Sequence, residues 1–325
     1  MWRWHGSPLF TKSDVKLPAP NHASFFYLFS LFFMFNQITA LRPSSRFGTG
    51  LLLALVLASC TSKSSTFTPA PITPPPAVTN EEARDFAQYT NLVWSDEFNG
   101  GALDQTKWGY DLGGGGWGNN ELEAYTNSTD NVFLSGGNLV IQARRQQSGN
   151  NSYTSGRILT KGKQNFQFGR IDVRAKLPKG KGIWPAIWML GADIDQNNWP
   201  RCGEIDIMEL RGSQPMQLLT TMHFGNSTAD HRMKGTTQVV PTDLSDAFHL
   251  YSAVRSKDQI RFYLDEAAQP YFTFNASDAN PYPFNSPFFG VLNVAVGGDF
   301  DGNPDASTVF PQQMQVDYVR YLQYK

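Results

Sequence analysis

Cysteine is almost missing from this chain. Its 325 residues hold two, Cys60 and Cys202, so no disulfide framework is on offer. No Cys/His cluster has zinc spacing either. Charge of one sign is missing as well: 27 Lys and Arg stand against 28 Asp and Glu, for a net −1. Without a basic field, nucleic acid is not an expected partner. Apolar runs stop short of the roughly 20 residues that a spanning helix needs. No long segment carries apolar residues at helical spacing, and no repeat of a solenoid or propeller period is evident.

Aromatic residues make up 14% of the chain, beside 28 glycines and 20 prolines. That mixture suits short strands and many turns. From Asn91 onward, short apolar stretches are separated by Gly, Asn, Asp and Pro. "NLVIQAR" (Asn138–Arg144), "GRIDVRAKL" (Gly169–Leu177), "QIRFYLDE" (Gln259–Glu266) and "MQVDYVRYL" (Met314–Leu322) alternate with period two, as half-buried strands do. The expected fold is all-β: a sandwich of two antiparallel sheets spanning 91–325 as one domain.

Residues 1–90 read differently. "FFYLFSLFFMF" (Phe25–Phe35) and "LLLALVLA" (Leu51–Ala58) are both short. Arg42 and Arg46 precede the second, and small Ala58 and Ser59 lead to Cys60. That is the order of a charged region, an apolar region and a cleavage site. "LASC" (Leu57–Cys60) resembles the lipobox of bacterial lipoproteins, which implies lipidation of Cys60 and a membrane anchor; an ordinary secretory signal is the alternative. Residues 1–59 are therefore expected to be a targeting region, with the signal over 34–59 and Met34 as its start. Residues 60–90, rich in Ser, Thr and Pro, are expected to form an extended tether. Export to the outer membrane or cell surface follows, or secretion.

The strongest signal is "RCGEIDIMEL" (Arg201–Leu210), which sets Glu204, Asp206 and Glu209 among apolar residues. On a strand, Glu204 and Asp206 share a face while Ile205 and Ile207 point into the core. Glu209 falls on the wrong face unless a β-bulge at Ile207–Met208 shifts the alternation by one. With the bulge, all three acids line one face, and the glutamates can approach the ~5–5.5 Å of retaining glycosidases. Carboxylates in contact share protons, which raises a pKa as a general acid requires. On residues alone, a solvated acidic face paired with Arg201 and Arg211 is the alternative.

"GEIDIME" is similar to the signature of glycoside hydrolase family 16, in the bulged form of its laminarinase-like members. "VWSDEFNG" (Val93–Gly100), "WGNNELEAYT" (Trp117–Thr126), "GRILTKGK" (Gly156–Lys163), "IWPAIWML" (Ile183–Leu190), "TMHFG" (Thr221–Gly225) and "GNPDASTVFPQQMQVDYVR" (Gly302–Arg320) extend the resemblance over the folded chain. It implies a jelly-roll sandwich with a concave substrate cleft and retaining hydrolysis of β-1,3-glucan. Glu204 would be the nucleophile, Glu209 the acid/base, and Asp206 the keeper of their proton balance. No cofactor is implied for catalysis. Trp184, Trp188 and Trp199 would be cleft aromatics, with core packing as the alternative for the first two. Asn120 and Arg157 would bond sugar hydroxyls, and His223 would sit close to the acid/base. Glu97, Asp317 and the Gly137 carbonyl would hold a structural Ca²⁺. The chain departs from the family after "FHLYSAV" (Phe248–Val254), where Arg255-Ser256 stands in place of Glu-Trp on a strand that normally helps to wall the cleft.

Other family 16 specificities remain open: mixed-linkage β-1,3-1,4-glucan, agarose, carrageenan or porphyran. The near-neutral charge favours an unsulfated substrate. A xyloglucan transferase is disfavoured, because its motif lacks the bulge residue. A surface glucan-binding protein without turnover, or an adhesin, would explain an anchor but not the acids. A monomer acting on polysaccharide is expected.

Overall fold

A β-strand buries alternate side chains, and the regular structure of the described residues is almost entirely strand, stacked to do so. The structure is a computed structural model that describes residues 80–325. Cys60, the targeting region 1–59 and the linker up to residue 79 lie outside the described residues.

The strands begin with β1 (Asn91–Asp96), β2 (Gly109–Tyr110), β3 (Glu123–Tyr125), β4 (Val132–Ser135), β5 (Asn138–Ala143) and β6 (Tyr153–Ser155). There follow β7 (Arg157–Leu159), β8 (Gly169–Lys176), β9 (Ile183–Gly191), β10 (Glu204–Leu210), β11 (Gln217–Phe224) and β12 (Arg232–Val239). The chain closes with β13 (His249–Ser256), β14 (Gln259–Leu264), β15 (Phe272–Asn275), β16 (Phe288–Val296) and β17 (Gln312–Gln323). Helical structure among the described residues consists of three 3₁₀ turns of three residues each. None of it is long or apolar enough to cross a membrane.

Two large sheets result. One has the order β12-β11-β10-β9-β16-β7-β2; the other runs β15-β14-β13-β8-β17-β5-β4, with β1 also paired to β17. Every pairing within them is antiparallel; only the small β3–β6 pair is parallel. Ile205, Met208 and Leu210 of β10, with Leu218 and Met222 of β11, meet Ile171 and Val173 of β8 and Phe262 of β14 in one core. The sandwich foreseen from period-two alternation is present, and its strands fall where the alternating stretches lie.

Two differences are informative. The linker expected up to residue 90 ends sooner, because residues 80–90 are packed. Phe86 and Tyr89 join Val254, Tyr263, Leu322 and Tyr324 in a second apolar cluster. Buried Asn80 donates to the Tyr324 carbonyl at 3.2 Å and accepts the Tyr324 N–H at 2.6 Å. The Ser/Thr/Pro-rich composition of the preceding residues drew the linker boundary past two aromatic anchors. Arg255, expected near the cleft wall, is instead wholly buried beside the ring of Phe288. Its guanidinium donates to the carbonyls of Phe166, Phe284 and Ser286. It thus ties loop backbone to the end of the sandwich, and burial lowers its pKa to about 10, which leaves it charged at neutral pH.

Burying one large aromatic side chain contributes about 1.5–3 kcal/mol. A chain beginning at Asn91, without Phe86 and Tyr89, should therefore melt about 6–24 °C below one beginning at Asn80, at ~2–4 °C per kcal/mol for a domain of this size. Thermal unfolding of the two chains measures this. Equal midpoints would show that residues 80–90 add nothing.

Candidate active site

The bulge required by the acid spacing is there. Between β10 and β11 the register passes from Asp206↔Thr221 to Glu209↔Leu219, and between β10 and β9 from Asp206↔Trp188 to Met208↔Ile187. Ile205, Ile207, Met208 and Leu210 all enter the core. Glu204, Asp206 and Glu209 are left together on the other face of the seven-stranded sheet.

Each acid has a defined contact. Trp199 donates its indole N–H to Glu204 Oε2 at 2.6 Å. Trp184 donates to Glu209 Oε1 at 3.0 Å. His223, the register partner of Glu204, brings Nε2 to 3.1 Å from Asp206 Oδ2, out of line for a good hydrogen bond. Its Nδ1 lies 2.8 Å from His231 Nε2, and His231 packs at a tilt against Trp199, ring centres 4.6 Å apart. His223 thus stands beside Asp206 and opposite Glu204, and is near enough to Glu209 to pull its pKa down.

Three carboxyls in one dry cluster cannot all ionise at their ordinary pKa. Burial, then the charge of Asp206, raises Glu204 to about 8. Burial raises Asp206 to about 7, with the hydrogen bond from Glu204 pulling back. Glu209 is pushed well above the carboxylate range by burial first and by the Asp206 charge second. The trio titrates as a unit, with all three carboxyls held above their ordinary range. Burial, with the neighbouring His223, lowers His231.

The aromatic positions behave as a strand predicts. Trp184 and Trp188, four apart on β9, both stand half-buried on the acid-bearing face. Trp184 stacks on Phe300 at 4.6 Å. Trp188 donates to Asn293 Oδ1 at 2.7 Å, Asn293 to the Tyr125 hydroxyl at 3.1 Å, and Tyr125 to Glu121 at 2.9 Å. Beside Glu121, burial followed by the neighbouring carboxyl holds Glu123 well above its usual pKa. Arg157 lies between the rings of Trp117 (4.7 Å) and Trp188 (4.8 Å), with its Nε 2.9 Å from Asp111. Asn120 has left-handed backbone (φ 57°) and gives its amide to both oxygens of Asp299, at 3.1 and 3.0 Å. The loops meet closely enough that a Cβ on Gly298 (φ +84°) would fall 2.7 Å from the Asn119 carbonyl. At the Glu204 end, a polar pocket of about 400 Å³ is lined by Asn197, Trp199, Arg201 and Asn226, among others.

The expected calcium ligands are otherwise engaged. Glu97 forms a two-pronged pair with Arg320, at 2.9 and 2.7 Å, which lowers its pKa. Asp317 is held by Arg174 at 2.5 Å. With both carboxylates spent on guanidinium groups, the residues as arranged do not fit a cation.

His231, Asn293, Phe300 and the Glu121–Tyr125 pair were not foreseen. Their sequence positions carry no periodic signal, since cross-strand register and loop closure bring them in. Trp199, by contrast, was foreseen, five residues before Glu204.

Known proteins now add what geometry alone cannot. The family model described as "Glycosyl hydrolases family 16" matches residues 119–320. The chain belongs to that family. A second model, "Beta-glucan synthesis-associated protein SKN1/KRE6/Sbg1", matches residues 29–196. Among family 16 relatives, the glucan endo-1,3-beta-glucosidase A1 of Niallia circulans is 40% identical over 78% of this chain; the chain spans only 42% of that protein's length. The beta-glucanase of Rhodothermus marinus is 41% identical over 73% of this chain and 86% of its own. The crystal structure of the laminarinase catalytic domain from Thermotoga maritima superposes with a TM-score of 0.68 at 41% identity, covering 72% of this chain and 98% of that one.

Asp206 raises both glutamates, so removing its charge lets both ionise at lower pH. In Asp206→Asn the acid limb and the alkaline limb of the kcat/KM profile should both move down in pH. A profile with limbs fixed at the wild-type positions would show that Asp206 does not set the proton balance.

Proposed function

We propose that this family 16 glycoside hydrolase cleaves β-1,3-glucan internally and with retention, through a covalent glycosyl-enzyme intermediate. The observation that carries the reading is the bulged β10, which gathers three carboxyls on one face, Asp206 and Glu209 buried and Glu204 half-buried, between two tryptophan N–H donors. The names of the relatives and of the matched structure support the linkage.

In the first step the Glu204 carboxylate attacks the anomeric carbon while Glu209 gives its proton to the leaving glycosidic oxygen. The C–O bond breaks and a glycosyl ester forms. Trp184 occupies one oxygen of Glu209, which leaves the other to carry the proton. Trp199 donates to Glu204, which favours its ionised form. Asp206 and Glu204 share a proton, and attack requires that proton to sit on Asp206 so that Glu204 is the anion. In the second step Glu209, now a carboxylate, removes a proton from water. The resulting hydroxide attacks the anomeric carbon and frees Glu204. Trp184 with Phe300, and Trp188 with Arg157 behind it, give flat apolar surfaces for pyranose faces.

The modest net charge supports an unsulfated glucan over a carrageenan-type galactan. Residues 91–325 also hold every acid that hydrolysis needs, which a binding protein would not require. Incubation with laminarin, mixed-linkage glucan and agarose, with products separated at early times, should yield short oligosaccharides from laminarin first. Glu204→Ala should abolish that release while leaving laminarin bound; turnover above a tenth of wild type would remove Glu204 from the nucleophile role.

We further infer export as a lipoprotein that acts as a monomer on polysaccharide at the cell surface. "LASC" at Leu57–Cys60, with its charged and apolar lead-in, supports the anchor, since two acyl chains suffice for stable membrane attachment. On expression in a bacterium, Cys60→Ser should move the enzyme from the membrane fraction to the soluble fraction. Equal partitioning of the two forms would refute lipidation there.

A further inference from the structure

The bulge that aims Glu209 leaves Ile207 outside both ladders. Its neighbours Asp206 and Met208 pair with β9, and Asp206 and Glu209 pair with β11, but Ile207 has no register partner on either side. Its side chain is buried, so its carbonyl has no access to water and must find a donor inside the sandwich.

The donor is a hydroxyl placed where an apolar group would be expected. Thr220 is fully buried on the core-facing row of β11, in line with Leu218, Met222 and Phe224. Its Oγ1 donates to the Ile207 carbonyl at 3.0 Å. The Tyr271 hydroxyl lies 2.7 Å from Thr220 Oγ1 and 3.5 Å from the same carbonyl. Each hydroxyl has one proton. The Thr220 proton is spent on Ile207, so Tyr271 donates to Thr220. Tyr271 stands just before β15, at the edge of the opposite sheet. The chain of bonds therefore crosses the sandwich from one sheet to the other.

We propose that Thr220 and Tyr271 are positioning residues for Glu209, a two-hydroxyl prop that holds the bulge carbonyl and so fixes the aim of the acid/base. The proposal rests on Glu209 being the acid/base of the reaction. Valine has almost the shape of threonine, so packing alone gives β11 no need for a hydroxyl at position 220. Without it, the buried carbonyl keeps only the long 3.5 Å approach of the Tyr271 hydroxyl, and the bulge loses its main brace against a return to regular alternation. A one-residue slip turns every following side chain to the other face. Glu209 is the first functional group after the bulge, whereas Glu204 and Asp206 lie before it. Loss of the prop should therefore disturb proton delivery while leaving sugar binding in place.

The test compares full-length wild type, Thr220→Val, Thr220→Ser and Tyr271→Phe on laminarin, with rates normalised to folded protein. Thr220→Val should lower kcat about 10–100-fold, the scale of an ångström-sized misplacement, with KM within about threefold. Thr220→Ser, which keeps the hydroxyl, should restore kcat to within about threefold of wild type. Tyr271→Phe should show a smaller loss, and the double variant Thr220→Val, Tyr271→Phe should be no slower than Thr220→Val, since both groups lie on one path. A wild-type kcat in Thr220→Val would overturn the proposal, as would equal impairment of Val and Ser. Should Thr220→Val not fold, an unchanged kcat in Tyr271→Phe overturns it instead. An active wild type with insensitive variants overturns the prop alone. A wild type that hydrolyses no β-glucan overturns the reading of the site and the prop with it.

Discussion

One extra residue in β10 governs what this sheet can do. Without the bulge at Ile207–Met208, alternation would send Glu209 into the core and leave two acids on the surface, a layout with no partner for proton transfer. With it, a strand that must bury isoleucine, methionine and leucine can also present three carboxyls on its other side. Burial of that side follows from the tryptophans of β9 and from Trp199. Burial in turn keeps the carboxyls from all ionising together. Local backbone count, face selection and proton affinity are thus successive consequences of a single inserted position.

The remainder of the cleft is organised around that row. Trp184 and Trp199 mark its two ends, each giving an N–H to a different glutamate. Behind Trp188, the relay through Asn293 and Tyr125 to Glu121 connects β9 and β16 to the loop that carries Asn120. The loop containing Asp299 and Phe300 closes against both. Each connection crosses between elements distant in sequence. The aromatic groups are therefore fixed by several independent strands, as a site that must hold a sugar ring at a defined height requires.

Much of this was legible beforehand, for identifiable reasons. Period-two alternation exposed β5, β8, β14 and β17, because half-buried strands repeat a simple pattern. The bulge could be deduced because three acids had to share a face and the count was off by one. Trp184 and Trp188 were paired correctly by the same parity. What escaped was whatever depends on register or closure. His231 reaches His223 because β11 turns back into β12, and no local feature announces that distance. Arg255 could be seen as a departure, but not as a buried tie for three carbonyls. Phe86 and Tyr89 were visible letters just after a proline-rich stretch, and were averaged into its character. The acids at 97 and 317 were matched by their neighbours in sequence, while their arginine partners come from neighbouring strands: Arg320 beside β1 and Arg174 on β8.

The packing of Asn80, Phe86 and Tyr89 against Val254, Tyr263, Leu322 and Tyr324 has a geometric corollary. Those partners lie on the outer side of the eight-stranded sheet, with the whole core between them and the carboxyls. The chain therefore enters the fold at the back of the molecule. Asn80, Phe86 and Tyr89 share no packing partner with the three acids, and a change in one cluster leaves the neighbours of the other in place.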